Sequence, residues 1–284
     1  MGESQVFTSA KSLQSRLDSE SNNSTVGFLP TMGALHHGHL ELVKQALQEN
    51  THVVVSIFVN PTQFNKAEDL ESYPRDLEAD LKLLNSVGDV IVFAPSVEEV
   101  YPEDYQNLSI DLGALGTSME GEFRPGHFAG VMNVVNRLFD IVQPTRAYFG
   151  IKDVQQVAVV QYMVDQVQSP VEIVPSAIVR EPSGLASSSR NYRLNEDQLN
   201  EALIIIDTLH FARGIARQLS PQETKVKAIE FFKNGSLEIE YFEIVHPRTL
   251  EFITEWVPGA RACIVGYCGE VRLLDNLELI PSNK

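Results

Sequence analysis

The chain has little cysteine. Its 284 residues include two, Cys263 and Cys268, too few for a disulfide scaffold and in keeping with a reducing compartment. Both fall in or beside an apolar run, where a thiol behaves as a small core residue. Positive charge is also scarce. Lys plus Arg number 22 against 38 Asp plus Glu, a net charge of −16. That argues against nucleic acid or an anionic membrane as the main partner, because phosphate surfaces are held by clustered Lys and Arg. A small polyanion is still allowed, since a few local donors outweigh distant screened charge. Long hydrophobic runs are missing. No stretch approaches the roughly 20 apolar residues of a membrane span, and the opening MGESQVFTSAKSLQSRL lacks a signal-peptide core. The expectation is a cytoplasmic protein with no membrane partner. Three motifs are absent: G-x-x-x-x-G-K-[ST], G-x-G-x-x-G and G-x-S-x-G. Their absence removes support for P-loop kinases, common dinucleotide enzymes and serine hydrolases.

The most informative stretch present is FLPTMGALHHGHLEL, residues 28–42. An apolar run ends at Pro30, a turn with Gly33 follows, and His36 and His39 stand three apart around His37 and Gly38. Leu40, Val43, Ala46 and Leu47 then recur at helical spacing. Strand, tight turn and helix start in that order suit an anion. First-turn N–H groups point outward, the helix dipole favours negative charge, and glycine lets a phosphate approach the backbone. Two imidazoles add hydrogen-bond donors. A metal site, an incidental surface loop and structural histidines are the competing readings. No H-E-x-x-H and no adjacent carboxylate or Cys set supports the metal.

Taken in order, the chain predicts a short strand or loop, a helix at 9–19, and a polar linker at 19–24. A strand at 26–29 and its helix to about 49 follow, then a fully apolar strand in HVVVSIFVN. A helix at 76–86, a strand at 90–93 and a short strand at 109–111 come next. A glycine-rich polar loop at 113–130, containing FRPGHFAG, leads into an apolar helix that Pro144 stops. Strand 147–149, helix 154–166 and strand 171–174 complete the half. Strand–helix alternation with apolar strands predicts an α/β fold, a doubly wound parallel sheet with ligands at the strands' carboxyl ends. The pattern changes near Pro175. Helices at 195–219 and 221–233, an imperfectly alternating strand at 237–245, and a hairpin across 262–274 predict a smaller C-terminal α+β domain. The expected domains are 1–176 and 177–284.

Four further constellations fall where strand ends meet helix starts. Asn60 and Gln63 offer neutral amides that orient a carboxylate or hydroxyls, or simply form a turn. In the segment 150–156, Lys152 stands at a helix start that the dipole makes unfavourable for a cation, which makes sense if it holds phosphate. Asp153 there caps the helix or holds a ribose. Arg124 and His127 lie in a loop that reads as a lid or a turn. Ser187, Ser188, Ser189, Arg190 and Asn191 read as a phosphate clamp or a solvated linker.

The chain as a whole resembles the pantothenate synthetase (pantoate–β-alanine ligase) family. PTMGALHHGH, VVSIFVNPTQF, YPRDLEADLKLL, FRPGHFAGV, FGIKDVQQ and VREPSGLASSSRN stand in the family's order from residue 26 to about 195. The C-terminal domain matches in position and size. The family belongs to the H-x-G-H nucleotidyltransferases, so the resemblance implies a Rossmann-like ATP- and pantoate-binding domain with a C-terminal lid. It implies adenylation of pantoate by ATP and capture of the acyl group by β-alanine, with Mg²⁺ bridging the phosphates and no direct protein ligand to the metal. It gives catalysis to His39 as proton donor, with His36, Lys152 and Arg190. ATP falls to Met32, Gly33, Ala34, Leu35, His36, His37, Gly38 and His39, to Gly150, Ile151, Lys152 and Asp153, and to Val179, Ser187, Ser188, Ser189 and Arg190. Pantoate falls to Gln63 and Gln156, with Gln63 also close to β-alanine. A homodimer is implied, with Tyr73–Arg75 (YPR) near its contact. His37, Ile151 and Ser187 depart from the family's usual acidic residue, Glu, and Leu or Met. The rivals are a nucleotidylyltransferase that stops after nucleotidyl transfer, a metal-dependent hydrolase using His36, His37 and His39, and a non-catalytic nucleotide-binding regulator.

Overall fold

A computed structural model describes residues 4–19, 23–64, 67–71 and 73–282. The chain forms two compact units, Met1–Ile151 with Val159–Ala177, and Lys152–Ala158 with Ile178–Lys284. Part of the polar linker expected at 19–24 lies outside the described residues.

Six strands build the first unit: β1 Gln5–Phe7, β2 Val26–Thr31, β3 His52–Ile57, β4 Ile91–Phe93, β5 Arg146–Gly150 and β6 Glu172–Ser176. They pair in the order β1-β4-β3-β2-β5-β6, every pair parallel. Helices cover both faces, which is why the strands are apolar without alternation. Neighbouring Phe28 and Leu29 are both fully buried, on opposite faces. Phe28 meets Phe139 of the His127–Val142 helix edge-on, 6.2 Å between ring centroids. Leu29 packs in a cluster with Val43 and Ala46 of the His37–Glu49 helix. Burying one such side chain stabilises the fold by about 1.5–3 kcal/mol. From β2 the chain moves one way through β3 to β4, then returns to β5 on β2's other side. That reversal opens a crevice at the carboxyl ends of β2 and β5.

The opposite ends of these strands are tied together. Tyr148 donates to a Glu49 carboxylate oxygen at 2.9 Å and accepts from Asn50 Nδ2 at 2.6 Å. Arg146 donates to Glu172 and to the Glu49 carbonyl. Burial, aided by Glu49, pushes the Tyr148 hydroxyl up to about 12.

The second unit contains an antiparallel sheet, β7 Glu238–Val245, β8 Arg261–Cys268 and β9 Val271–Glu278, in that order. Gly269 (φ +57°) and Glu270 make the β8–β9 turn, where a left-handed residue is easiest as glycine. The register shifts between Ile239 and Tyr241. This bulge explains the imperfect alternation of the sequence there. Helices Leu203–Ile215 and Pro221–Phe232 bury Leu209, Ala212, Ala228 and Phe232 in the same core as Phe242 and Ile264. Ser220 and Glu223 form a reciprocal cap with Pro221 in the first turn. Cys263 and Cys268 are both buried, as core residues.

Three expectations are corrected. Residues 109–111 are not a strand. Side chains take up neighbouring backbone groups instead: Asn133 Oδ1 accepts the Leu108 N–H, and Asp111 accepts the Gly113 N–H. The loop expected at 113–130 contains helical turns Ala114–Thr117 and Glu120–Phe123, and the long helix begins early, at His127. The helix expected at 195–219 is two, Glu196–Glu201 and Leu203–Ile215. At fully buried Ala202 the hydrogen bonding tightens, with Ile205 N–H donating to the Ala202 carbonyl three residues back.

Candidate active site

The segment after β2 makes a turn that few side chains tolerate. Gly33 (φ +77°) and Ala34 (φ +51°) are both left-handed, which for a non-glycine residue is uphill by roughly 1–2 kcal/mol. Two side chains hold it there. The Thr31 hydroxyl accepts the Gly33 N–H at 3.2 Å. Asp80, 3% exposed, accepts the Ala34 N–H at 3.1 Å and the Leu35 N–H at 2.7 Å, one per carboxylate oxygen. Burial pushes the Asp80 carboxyl above its ordinary value, and the two backbone bonds pull against that. A Cβ on Gly33 would lie 2.8 Å from Asp80 Oδ2.

The turn delivers the chain to the His37–Glu49 helix, whose cap consists of histidines. His36 is the N-cap, and its Nδ1 accepts the Gly38 N–H at 3.1 Å. The His36 N–H donates back to His39 Nδ1 at 3.3 Å. The rings lie 4.0 Å apart between centroids. With each Nδ1 acting as acceptor, each neutral ring carries its proton at Nε2. So the stretch combines left-handed backbone, two Nε2–H donors and a helix N-terminus, a donor set suited to phosphate oxygens. His37 points elsewhere: its side chain is 57% exposed and lies 3.8 Å from Glu41. Met32, Gly33, Ala34, Leu35, Gly38 and both capping histidines are thus brought together.

The second group stands at the end of β3. Asn60 caps the short turn Pro61–Gln63 by accepting the Thr62 N–H. Asn60 and Gln63 are 1% and 8% exposed, far too buried for simple turn formers. FRPGHFAG packs directly against this group. His127 is buried, and its Nδ1 lies 2.9 Å from the Gln63 carbonyl oxygen. Gly130 brings its helix against the turn so closely that a Cβ would sit 2.5 Å from the Thr62 carbonyl oxygen. Arg124 stands 3.9 Å from Glu120.

Of the third group, Gly150 ends β5 and Ile151 begins the short helical turn Ile151–Asp153. Lys152 Nζ lies 3.9 Å from Asp153, whose side chain is half exposed. The Lys152 carbonyl accepts from Asn276 Nδ2 at 2.8 Å, fixing the backbone of that turn. Gln156, in the first turn of the Val154–Gln166 helix, is half-buried, while Gln155 is buried.

In the second unit, Val179 accepts the Ser187 N–H at 2.9 Å. The Ser187 hydroxyl donates to Glu181 at 2.5 Å and is buried. That bond braces the loop on which Ser188, Ser189 and Arg190 follow. Ser188 accepts the Arg190 N–H, Ser189 opens the turn Ser189–Arg193, and Arg190 donates to the Arg272 carbonyl. Beside them Arg180 grips buried Asp275 through two bonds, 2.6 and 3.1 Å.

A sequence model described as pantoate-β-alanine ligase matches residues 5–278. The chain belongs to that family. A pantothenate synthetase of Phocaeicola vulgatus is 52% identical, over 94% of this chain and 96% of the relative. The solved pantothenate synthetase of Thermus thermophilus superposes with a TM-score of 0.91 at 44% identity, covering 98% of this chain and all of the other. The pantoate-β-alanine ligase of Francisella tularensis, solved with beta-gamma ATP and β-alanine, gives a TM-score of 0.78 at 33% identity, covering 97% of each chain. This pantoate–β-alanine ligase is accordingly an enzyme, built on a Rossmann-like sheet with a smaller antiparallel unit. Sequence reasoning missed Thr31, Asp80 and Tyr101 around its strand ends. Only Asp80 left a signal, as a charge on the helical stripe of Leu77, Leu81 and Leu84.

Proposed function

We propose that this ligase joins (R)-pantoate to β-alanine in two steps, within coenzyme A biosynthesis. In the first, a pantoate carboxylate oxygen bonds to the α-phosphorus of ATP as the bond to pyrophosphate breaks, leaving pantoyl adenylate. In the second, the β-alanine nitrogen bonds to the acyl carbon and sheds a proton while the bond to AMP breaks, leaving pantothenate. The observation that carries the reading is the His36–His39 cap. Its rings hold their protons at Nε2 beside a helix N-terminus, where preorganised donors stabilise charge growing on the leaving phosphates.

In this reading His39 is the proton donor, and His36, Lys152 and Arg190 stabilise the phosphates. Residues 32–39, 150–153 and 187–190, with Val179, hold ATP. Gln63 and Gln156 hold pantoate, and Gln63 also reaches β-alanine. Residues 1–176 form the substrate domain, and 177–284 act as a lid that keeps water from the adenylate. Mg²⁺ enters with the nucleotide. Imidazole N–H, ammonium and guanidinium groups suit phosphate oxygens rather than a cation, so the phosphates themselves would supply its ligands. The enzyme acts in the cytoplasm as a homodimer. No described helix is long and apolar enough to cross a membrane.

The test is exchange of labelled pyrophosphate into ATP, with Mg²⁺ and pantoate but without β-alanine. Exchange that requires pantoate is the expected result. Exchange without pantoate, or none at all from folded protein, overturns the two-step reading. Light scattering at micromolar protein checks the dimer, and a monomer mass refutes it.

A further inference from the structure

Amides present an oxygen on one side and an NH₂ on the other, and their neighbours decide which faces the ligand. Around Asn60 that choice is made by groups of fixed polarity. The Thr62 backbone N–H, a donor only, meets Asn60 Oδ1 at 3.3 Å. The Gly130 carbonyl, an acceptor only, meets Nδ2 at 3.3 Å. Reversing the amide would set donor against donor at Thr62 and acceptor against acceptor at Gly130. Two hydroxyls reinforce the sense by donating to Oδ1, Thr62 at 3.0 Å and Tyr101 at 2.9 Å. The remaining hydrogen of Asn60 Nδ2 goes to Gln63 Oε1 at 3.1 Å. The Gln63 oxygen is therefore engaged inward. Its NH₂ points the other way, at the Met32 thioether sulfur 2.9 Å off, a weak acceptor that an oxygen of a ligand would replace.

We propose that Tyr101 is a positioning residue for the acid substrate: through Asn60 it helps hold the Gln63 amide with NH₂ outward, so that this site selects a carboxylate or hydroxyl oxygen and rejects an ammonium group. This rests on the pantoate assignment of Gln63 above. Toward β-alanine, the same amide contacts the carboxylate end and never the amine, leaving the nucleophile unengaged by Gln63. Tyr101 is well fixed for the task. Its ring packs edge-on to Phe58 at 6.2 Å and against Tyr105 at 5.3 Å. Tyr105 in turn lies under the Arg137 guanidinium at 5.7 Å. Burial raises the Tyr101 hydroxyl above its ordinary value, so it remains a donor throughout the working range.

Two variants test the proposal in the pantoate-dependent pyrophosphate exchange assay. Tyr101→Phe keeps both ring contacts and deletes one donor. Its KM for pantoate should rise about three- to tenfold, the effect of one lost hydrogen bond, while KM for ATP stays within twofold. Gln63→Glu replaces the outward donor by an acceptor, and its KM for pantoate should rise more than thirtyfold. Tyr101→Phe with an unchanged pantoate KM, or with pantoate and ATP constants shifted together, overturns the positioning role. Gln63→Glu within threefold of the parent overturns the donor sense. If the parent itself shows no pantoate-dependent exchange, the ligase mechanism has failed and this inference falls with it.

Discussion

Replacing Asp80 by alanine removes the carboxylate that holds the left-handed turn ahead of the histidines. Two backbone N–H groups, those of Ala34 and Leu35, lose their acceptors at 3.1 and 2.7 Å. Asp80 is 3% and Leu35 4% exposed, so water is a poor substitute. An orphaned buried donor costs about 1–3 kcal/mol, hence about 2–6 kcal/mol for the pair. Against this stands relief of the burial that opposes ionisation of Asp80. The two together give a net loss on the order of 2–4 kcal/mol. For a unit of this size that is a fall in Tm of roughly 5–15 °C. Asp80→Asn keeps one acceptor and turns an NH₂ toward the other donor, so it should fall between parent and alanine. Activity should fall further than stability accounts for. Without Asp80, the Thr31 hydroxyl bond to Gly33 is left to oppose relaxation of Ala34, and the imidazoles lose their aim. Melting curves at pH 7 and pyrophosphate exchange on folded protein at 20 °C are the assays. The expected result is a tenfold or greater loss of exchange in Asp80→Ala. An alanine variant that melts within 2 °C of the parent and exchanges normally refutes the role of Asp80.

His39→Ala should lower adenylate formation by about 10²–10³, the usual effect of deleting one donor to developing charge; near-normal turnover overturns the phosphate-site assignment. Gly130→Ala would force a Cβ to within 2.5 Å of the Thr62 carbonyl oxygen and 2.8 Å of Gln63 Cα. Its KM for pantoate should rise more than tenfold with little change for ATP, and an unaltered pantoate constant counts against the close approach. Tyr148 has its hydroxyl raised from 10.0 to about 12 in the folded chain. A raised value means stability present below pH 10 and lost as pH climbs through 12. The stability gap between the parent and Tyr148→Phe should therefore close over that interval, and a gap that stays constant in urea titrations contradicts it.

The sheet was legible because each inner strand is a continuous apolar run bracketed by turn residues, and burial on both faces leaves no other use for VVV at residues 53–55. H-x-G-H was legible as a helix start because a glycine-containing turn precedes it and Leu40, Val43, Ala46 and Leu47 recur at helical spacing after it; that the two histidines themselves form the cap was not. The support behind it was hidden by distance along the chain. Asp80 reaches back 46 and 45 residues to Ala34 and Leu35, and Tyr101 reaches 41 to Asn60. A lone Asp or Tyr has no periodicity to announce such a bond. FRPGHFAG misleads for a related reason. Its glycines read as looseness, yet Gly130 is there because the Thr62 and Gln63 backbone leaves no room for a side chain. Residues 109–111 alternate well enough for a strand, but no strand among the described residues pairs with them.

The histidines that would meet ATP are also the ones that close the first turn of their helix. Scaffold and reagent are the same atoms. A descendant of this protein that no longer needed catalysis could not let either imidazole drift away at no cost to folding, since Nδ1 would still be wanted as a cap. Asn or Asp could supply a capping oxygen in place of Nδ1 without restoring the ring. A silent copy of this gene should therefore be recognisable by those substitutions at 36 or 39, with the helix behind them still intact.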